Sequence, residues 1–195
     1  MTMLIIIGAN KKSFAASAGC LSGVAIAAVL TVLMGWLLKL TGMVDEDSLF
    51  LQMVQTANPI DLRGIIFAAI IIGALGAIMD VAMDIASALY ELHDNVPDIS
   101  SRALIKSGFN IGRDIMGTMA NTLVLAYIGS SLATTLLLVA YNVSFIELMN
   151  MELIVVELLQ ALVGSIGIVL AIPLTAIICA AVYTRGAKKV VVSGQ

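Results

Sequence analysis

The residues best equipped for chemistry in this chain are two aspartates, Asp80 and Asp84, set four apart within "GALGAIMDVAMDIASALYELHD", residues 73–94. The rest of that stretch is apolar enough for a bilayer interior. Four residues is about one helical turn, so both carboxyl groups share a face. At about 100° per residue, Gly73, Gly76, Ala77, Asp80, Asp84, Ser87 and Glu91 fall within a stripe about 100° wide. An ionisable side chain at mid-membrane costs about 3 kcal/mol on insertion scales, so such a stripe is expected to face protein or water. A protonatable carboxyl held there suits the uptake and release of protons or small cations.

A matching stripe lies further along the chain. Asn110, Asp114, Gly117, Thr118 and Asn121 fall within a similar arc, with Arg113 at its edge. Counted at about 1.5 Å per residue, Asp80 lies about 16 Å above Glu91 and Asn121 about 12 Å above Arg113, so the two stripes reach comparable depth. The economical arrangement is a polar seam between the two helices, open toward the cytoplasm. In it Asp80 and Asp84 form a proton or cation relay, supported by Ser87, Arg113, Asp114, Thr118 and Asn121. A plainer reading stands beside it: Asp84, Glu91 and Asp114 cap or snorkel at the boundary, while Thr118 and Asn121 hydrogen-bond neighbouring helices as packing glue.

The elements that must position these residues are membrane helices. Of the 195 residues 61% are hydrophobic and 12% charged, with a mean hydropathy of +1.07, which places the chain in the membrane class. Four apolar segments exceed the roughly 20 residues needed to cross a hydrocarbon core: about 14–38, 62–90, 114–141 and 154–183. The fold class is therefore all-α, a polytopic membrane helix bundle forming a single transmembrane domain. Residues 1–9, "MTMLIIIGA", are too short to span and read as the tail of a further, partial N-terminal helix. Between the second and third segments, residues 97–113 alternate Ile99, Ala103, Leu104, Ile105 and Phe109 with Arg102 and Lys106, the pattern of an amphipathic segment at the membrane surface that runs into the third helix.

Charge orders the loops. Lys11, Lys12, Arg102, Lys106, Arg113, Arg185, Lys188 and Lys189 fall on one side if the four segments alternate, against only Lys39 and Arg63 on the other. Positive loops stay cytoplasmic, so the C-terminus is expected in the cytoplasm of a bacterial inner membrane. A net charge of −3, carried in short clusters, offers no surface for nucleic acid. The expected partners are the lipid bilayer and either further copies of the chain or a second membrane subunit supplying additional helices.

Other chemistries find little support. His93 is the only histidine, Cys20 and Cys179 sit alone in apolar runs, and no phosphate loop or nucleophile elbow is present, so neither a metal nor a cofactor is called for. Small residues recur every fourth position at Gly19, Gly23 and Ala27 and at Ala69, Gly73 and Ala77, which suits close helix packing. Gly164, Gly167 and Pro173 mark a kink in the fourth segment. Intramembrane aspartyl proteases place their two aspartates on different helices, one within G-x-G-D. Here both lie on one helix in the text G-A-I-M-D, and an enzyme is not expected.

Two blocks, "GAIMDVAMDIASALYEL" at 76–92 and "GFNIGRDIMGTMANTLVLAYIGSSL" at 108–132, carry a resemblance to the YibE/YibF family of bacterial multi-pass membrane proteins, extending over roughly residues 10–190. A weaker similarity is one of layout. Transporters of the RND type, with their MMPL and SecD/SecF relatives, place an acidic residue after a glycine-containing run, then a cytoplasmic amphipathic segment, a helix rich in Ser, Thr and Asn, and another ending near proline. That layout implies a proton relay at Asp80, the position that matches. The large extracytoplasmic domain of those transporters has no counterpart, and Asp84 is an additional acid. Together these readings point to a permease or transport component, with a non-transporting scaffold or accessory subunit as the alternative.

Overall fold

A computed structural model describes residues 10–44, 46–53, 60–96, 98–141 and 144–187. The expected partial helix at 1–9 lies outside the described residues, as do Lys188 and Lys189. Regular structure among the described residues is wholly helical: α1 (Lys11–Leu37), α2 (Glu46–Met53), α3 (Leu62–Asn95), α4 (Ser101–Ala140), α5 (Phe145–Asn150) and α6 (Glu152–Ala187). Four of these, α1, α3, α4 and α6, are long and apolar enough to cross a membrane. The chain is an all-α membrane protein.

The expected surface segment at 97–113 and the third spanning segment form one 40-residue helix, α4. No proline interrupts it, and Leu104, Gly108 and Gly112 are buried against the bundle, so that portion packs on protein where a surface helix would lie on lipid. Ser100 caps its start, accepting from the Ala103 amide at 3.2 Å. Asp61 caps α3 in the same way, accepting from Gly64 at 3.1 Å.

Helix α6 is the centre of the bundle, packing against α1, α3 and α4, while α3 packs extensively on α1 and less so on α4. Lipid tails are as apolar as leucine, so burial alone gives little drive for this association and close packing must supply it. The buried residues of α1 are accordingly all small: Ser13, Ala15, Ala16, Gly19, Cys20, Gly23, Ala27, Thr31 and Gly35. A methyl group on Gly23 would sit 2.8 Å from Ile78 Cγ2 and 2.9 Å from Ala171 Cβ, and one on Gly167 would sit 2.8 Å from Ile78 Cδ1. Ile78, fully buried, thus plugs the junction of α1, α3 and α6.

The four long helices alternate in direction. One end gathers the start of α1, the α3–α4 turn and the end of α6, and is closed by two bonds. Tyr183 Oη donates to the Ala86 carbonyl at 3.0 Å, and Ser101 Oγ donates to Thr184 Oγ1 at 3.0 Å. Lys11, Lys12, Arg102 and Lys106 collect there. At the other end the Glu152 carboxylate accepts from the Thr41 amide (2.8 Å), the Thr41 hydroxyl (2.6 Å) and the Gly42 amide (2.7 Å). This clamp holds a turn in which Lys39 and Gly42 take positive φ of 52° and 96°, a conformation that suits glycine and strains lysine. Pro173 lies inside α6 without ending it, although it offers no N–H to the preceding turn.

Candidate functional site

Helix α3 buries Ile70, Ala74, Ile78, Val81, Ala82, Ile85, Ala86 and Leu89. These residues form one face, directed mainly at α1 and α6, with Leu89 also reaching Gly108 of α4. Asp80, Asp84, Gly76 and Glu91 lie around the helix from it and are exposed, and Ser87 is half-buried. Helix α4 behaves alike: Leu104, Gly108 and Gly112 are buried, while Asn110, Arg113, Asp114, Gly117, Thr118 and Asn121 are exposed.

The polar seam expected between the second and third spanning segments is therefore not closed within one chain. The physical reason lies in α1 and α6, whose glycine and alanine rows offer complementary grooves to the branched side chains of α3. Those side chains take the protein-facing positions, and the carboxylates, on the remaining face, point out of the bundle. Thr118 also departs from the glue reading, since its hydroxyl donates to the Ile115 carbonyl of its own helix at 2.9 Å. Thr122 does the same to Thr118 at 2.8 Å.

The two polar faces do share a level. A methyl on Gly108 would lie 3.0 Å from Leu89 Cδ1, so these residues mark one height on the antiparallel pair. Five residues further into the bundle on each helix, Asp84 stands level with Arg113. By the same count Asp80 is level with Gly117 and Gly76 with Asn121. Asp80 lies 18 residues from Leu62 and 15 from Asn95, near the middle of α3. The electrostatic neighbour of Asp84 is Asp80 itself, one turn away. Two like charges one turn apart repel, and a cation placed beside them relieves that repulsion.

Two polar clusters escaped the sequence reading. Toward the α2–α5 end, the buried Tyr127 hydroxyl faces the Gln160 side chain. It stands beside Gly73 and Gln160, both within about a side chain's reach of it: a methyl on Gly73 would lie 3.0 Å from that hydroxyl and 2.7 Å from Gln160 Nε2. The polar stripe of α3 thus continues from Asp80 through Gly76 to this cluster. A cavity of about 410 Å³ opens next to it, lined largely by apolar side chains of α4, α5 and α6 and by Tyr127, Ser131 and Glu157. Long-range contacts of this kind leave no local sequence signal.

The second cluster surrounds Tyr183, whose ring meets Tyr90 edge-on at 5.6 Å and stacks with His93 at 6.2 Å. His93 is half-buried, and its Nδ1 is buried without a partner. No group of three or more His, Cys, Asp or Glu side chains suited to a metal ion occurs among the described residues.

The family model for YibE/F-like proteins matches residues 1–185. No curated protein and no solved structure matches the chain.

Proposed function

The chain belongs to the YibE/F-like family, and from that premise we propose that it is a permease-type transport component of the bacterial inner membrane in which Asp80 and Asp84 relay protons or cations. One observation carries the proposal: two carboxylates one turn apart stand near the middle of a helix apolar enough to span the bilayer, with their side chains outside the chain's own bundle. Each costs about 3 kcal/mol against lipid on insertion scales, and such groups mark ion pathways when they persist. The face that bears them runs from Glu91 at one end, through Ser87 and Gly76, to the Tyr127–Gln160 cluster beyond Gly73. It could carry a hydrated path along one helix. The collection of Lys11, Lys12, Arg102 and Lys106 at the end shared with the last turn of α6 supports a cytoplasmic C-terminus.

The exposure of the same face favours a second reading, in which the protein is a non-transporting scaffold or accessory subunit and the acids serve only to select a partner. Proton flux separates the two. Vesicles containing the purified protein and an internal pH dye are given a pH gradient, and wild type is compared with Asp80→Asn. A relay gives wild-type flux that Asp80→Asn abolishes while remaining inserted and assembled. Absence of flux in wild type, or full flux in Asp80→Asn, refutes the relay and leaves the scaffold.

A further inference from the structure

We infer that the face formed by α3 and α4 is covered by the same face of a second copy of this chain, so that α3 of each copy lies along α4 of the other. The inference rests on the reading of the acidic pair as a site enclosed by protein, and it supplies the enclosure that a single chain lacks. Three features carry it.

The first is charge. Three of the exposed acids of α3, Asp80, Asp84 and Glu91, follow one helical line, with Asp94 beyond them at the helix end, and so do the exposed bases of α4, Arg102, Lys106 and Arg113. Both lines contain a step of seven residues, 84 to 91 and 106 to 113. Within the chain neither line is turned toward the bundle, and among the described residues no ion pair joins them.

The second is register. The Leu89–Gly108 contact sets the levels of the two helices. Counting from it, Glu91 is level with Lys106 and Asp84 with Arg113. Copies inserted in the same sense are related by a twofold axis along the membrane normal, which preserves depth and makes the contact isologous. Glu91 of one copy then meets Lys106 of the second, and Asp84 meets Arg113 of the second, twice over. Asp80 faces the Gly117 of the second copy, and Gly76 faces its Asn121. Side chains added at Gly76 and Gly117 would meet nothing within 4 Å in the single chain, so both positions leave room for a second backbone to approach closely.

The third is the polar exposure of α4 at the depth of the acids. One side of its first half is buried at Leu104, Gly108 and Gly112, but Arg113, Asp114, Gly117, Thr118 and Asn121 are exposed. Lipid covers leucines readily but not Arg113, Asp114 and Asn121.

Cross-linking in native membranes tests the arrangement. Two differently tagged full-length copies are co-expressed, one bearing Asp84→Cys and the other Arg113→Cys, and oxidised with copper phenanthroline. Cys20 and Cys179 are buried and serve as the wild-type background. A disulfide-linked band carrying both tags is expected, several-fold above the band from two Leu21→Cys copies, whose site lies exposed on α1.

A charge exchange provides a second measure. Asp84→Arg and Arg113→Asp copies are each repulsive when self-paired, but a mixed pair restores both ion pairs. Mixed capture should therefore exceed either self-capture several-fold. No mixed cross-link together with statistical pairing of the exchange variants overturns the inference, as does a cross-link from position 84 to a different protein. Flux abolished by Asp80→Asn without any cross-link would remove the dimer and leave the relay. A cross-link without flux in wild type would remove the relay and leave the dimer.

Discussion

Removing the Glu152 carboxylate is expected to free the turn that joins α1 to α2. Three donors converge on that group, from the Thr41 amide, the Thr41 hydroxyl and the Gly42 amide, at 2.6 to 2.8 Å. A hydrogen bond to a charged group contributes about 1.5 to 3 kcal/mol when enclosed. Two of the three are exposed, so water replaces much of what is lost, and a net contribution of about 2 kcal/mol to holding the turn is reasonable. Backbone bonds from the Lys39 amide to the Trp36 carbonyl (3.3 Å) and from the Leu40 amide to the Gly35 carbonyl (3.1 Å) hold the left-handed Lys39, so the clamp acts chiefly on Thr41 and Gly42. Two kcal/mol corresponds to about a 30-fold rise in the open fraction. Amide hydrogen exchange in nanodiscs reads this directly, as a loss of protection of about that factor at Thr41 and Gly42 in Glu152→Ala. Glu152→Gln should fall between, because one oxygen still accepts from a backbone amide. Unchanged protection in Glu152→Ala would show that the turn is held by its own backbone and that the clamp is incidental.

Further outcomes follow from the packing. Gly23→Val and Gly167→Val should each lower the thermal midpoint in detergent by the equivalent of about 1 to 3 kcal/mol, because the added methyls invade the space of Ile78; Gly76→Val, which meets nothing in the single chain, should leave that midpoint unchanged and weaken dimer capture. Tyr183→Phe deletes a buried bond to the Ala86 carbonyl and should cost about 1 kcal/mol in the same assay. Thr175→Val should be neutral or stabilising, since the buried Thr175 hydroxyl has no partner to lose. Asp61→Ala should fray the first turn of α3 at a cost of about 1 kcal/mol, seen as faster exchange of the Gly64 amide.

How much of this protein its sequence determines by itself depends on the range of the physics involved. Hydropathy and segment length set the four spanning helices, because a bilayer imposes its thickness on each segment independently of its neighbours. The shared face of Asp80 and Asp84 and the small-residue rows of α1 follow equally from local periodicity. The blocks around "GAIMD" and "GFNIGRD" are distinctive enough to identify the family. Periodicity shows that a helix has a polar face without showing which neighbour it meets. That choice belonged to the tertiary structure: Ile78 packs where Gly23, Gly167 and Ala171 leave room for it, and the burial of its face turned the carboxylates outward. The Glu152 clamp, with partners more than a hundred residues away, and the Tyr127–Gln160–Gly73 meeting of three helices are likewise properties of the folded bundle, because contacts between distant segments depend on how all the helices pack at once.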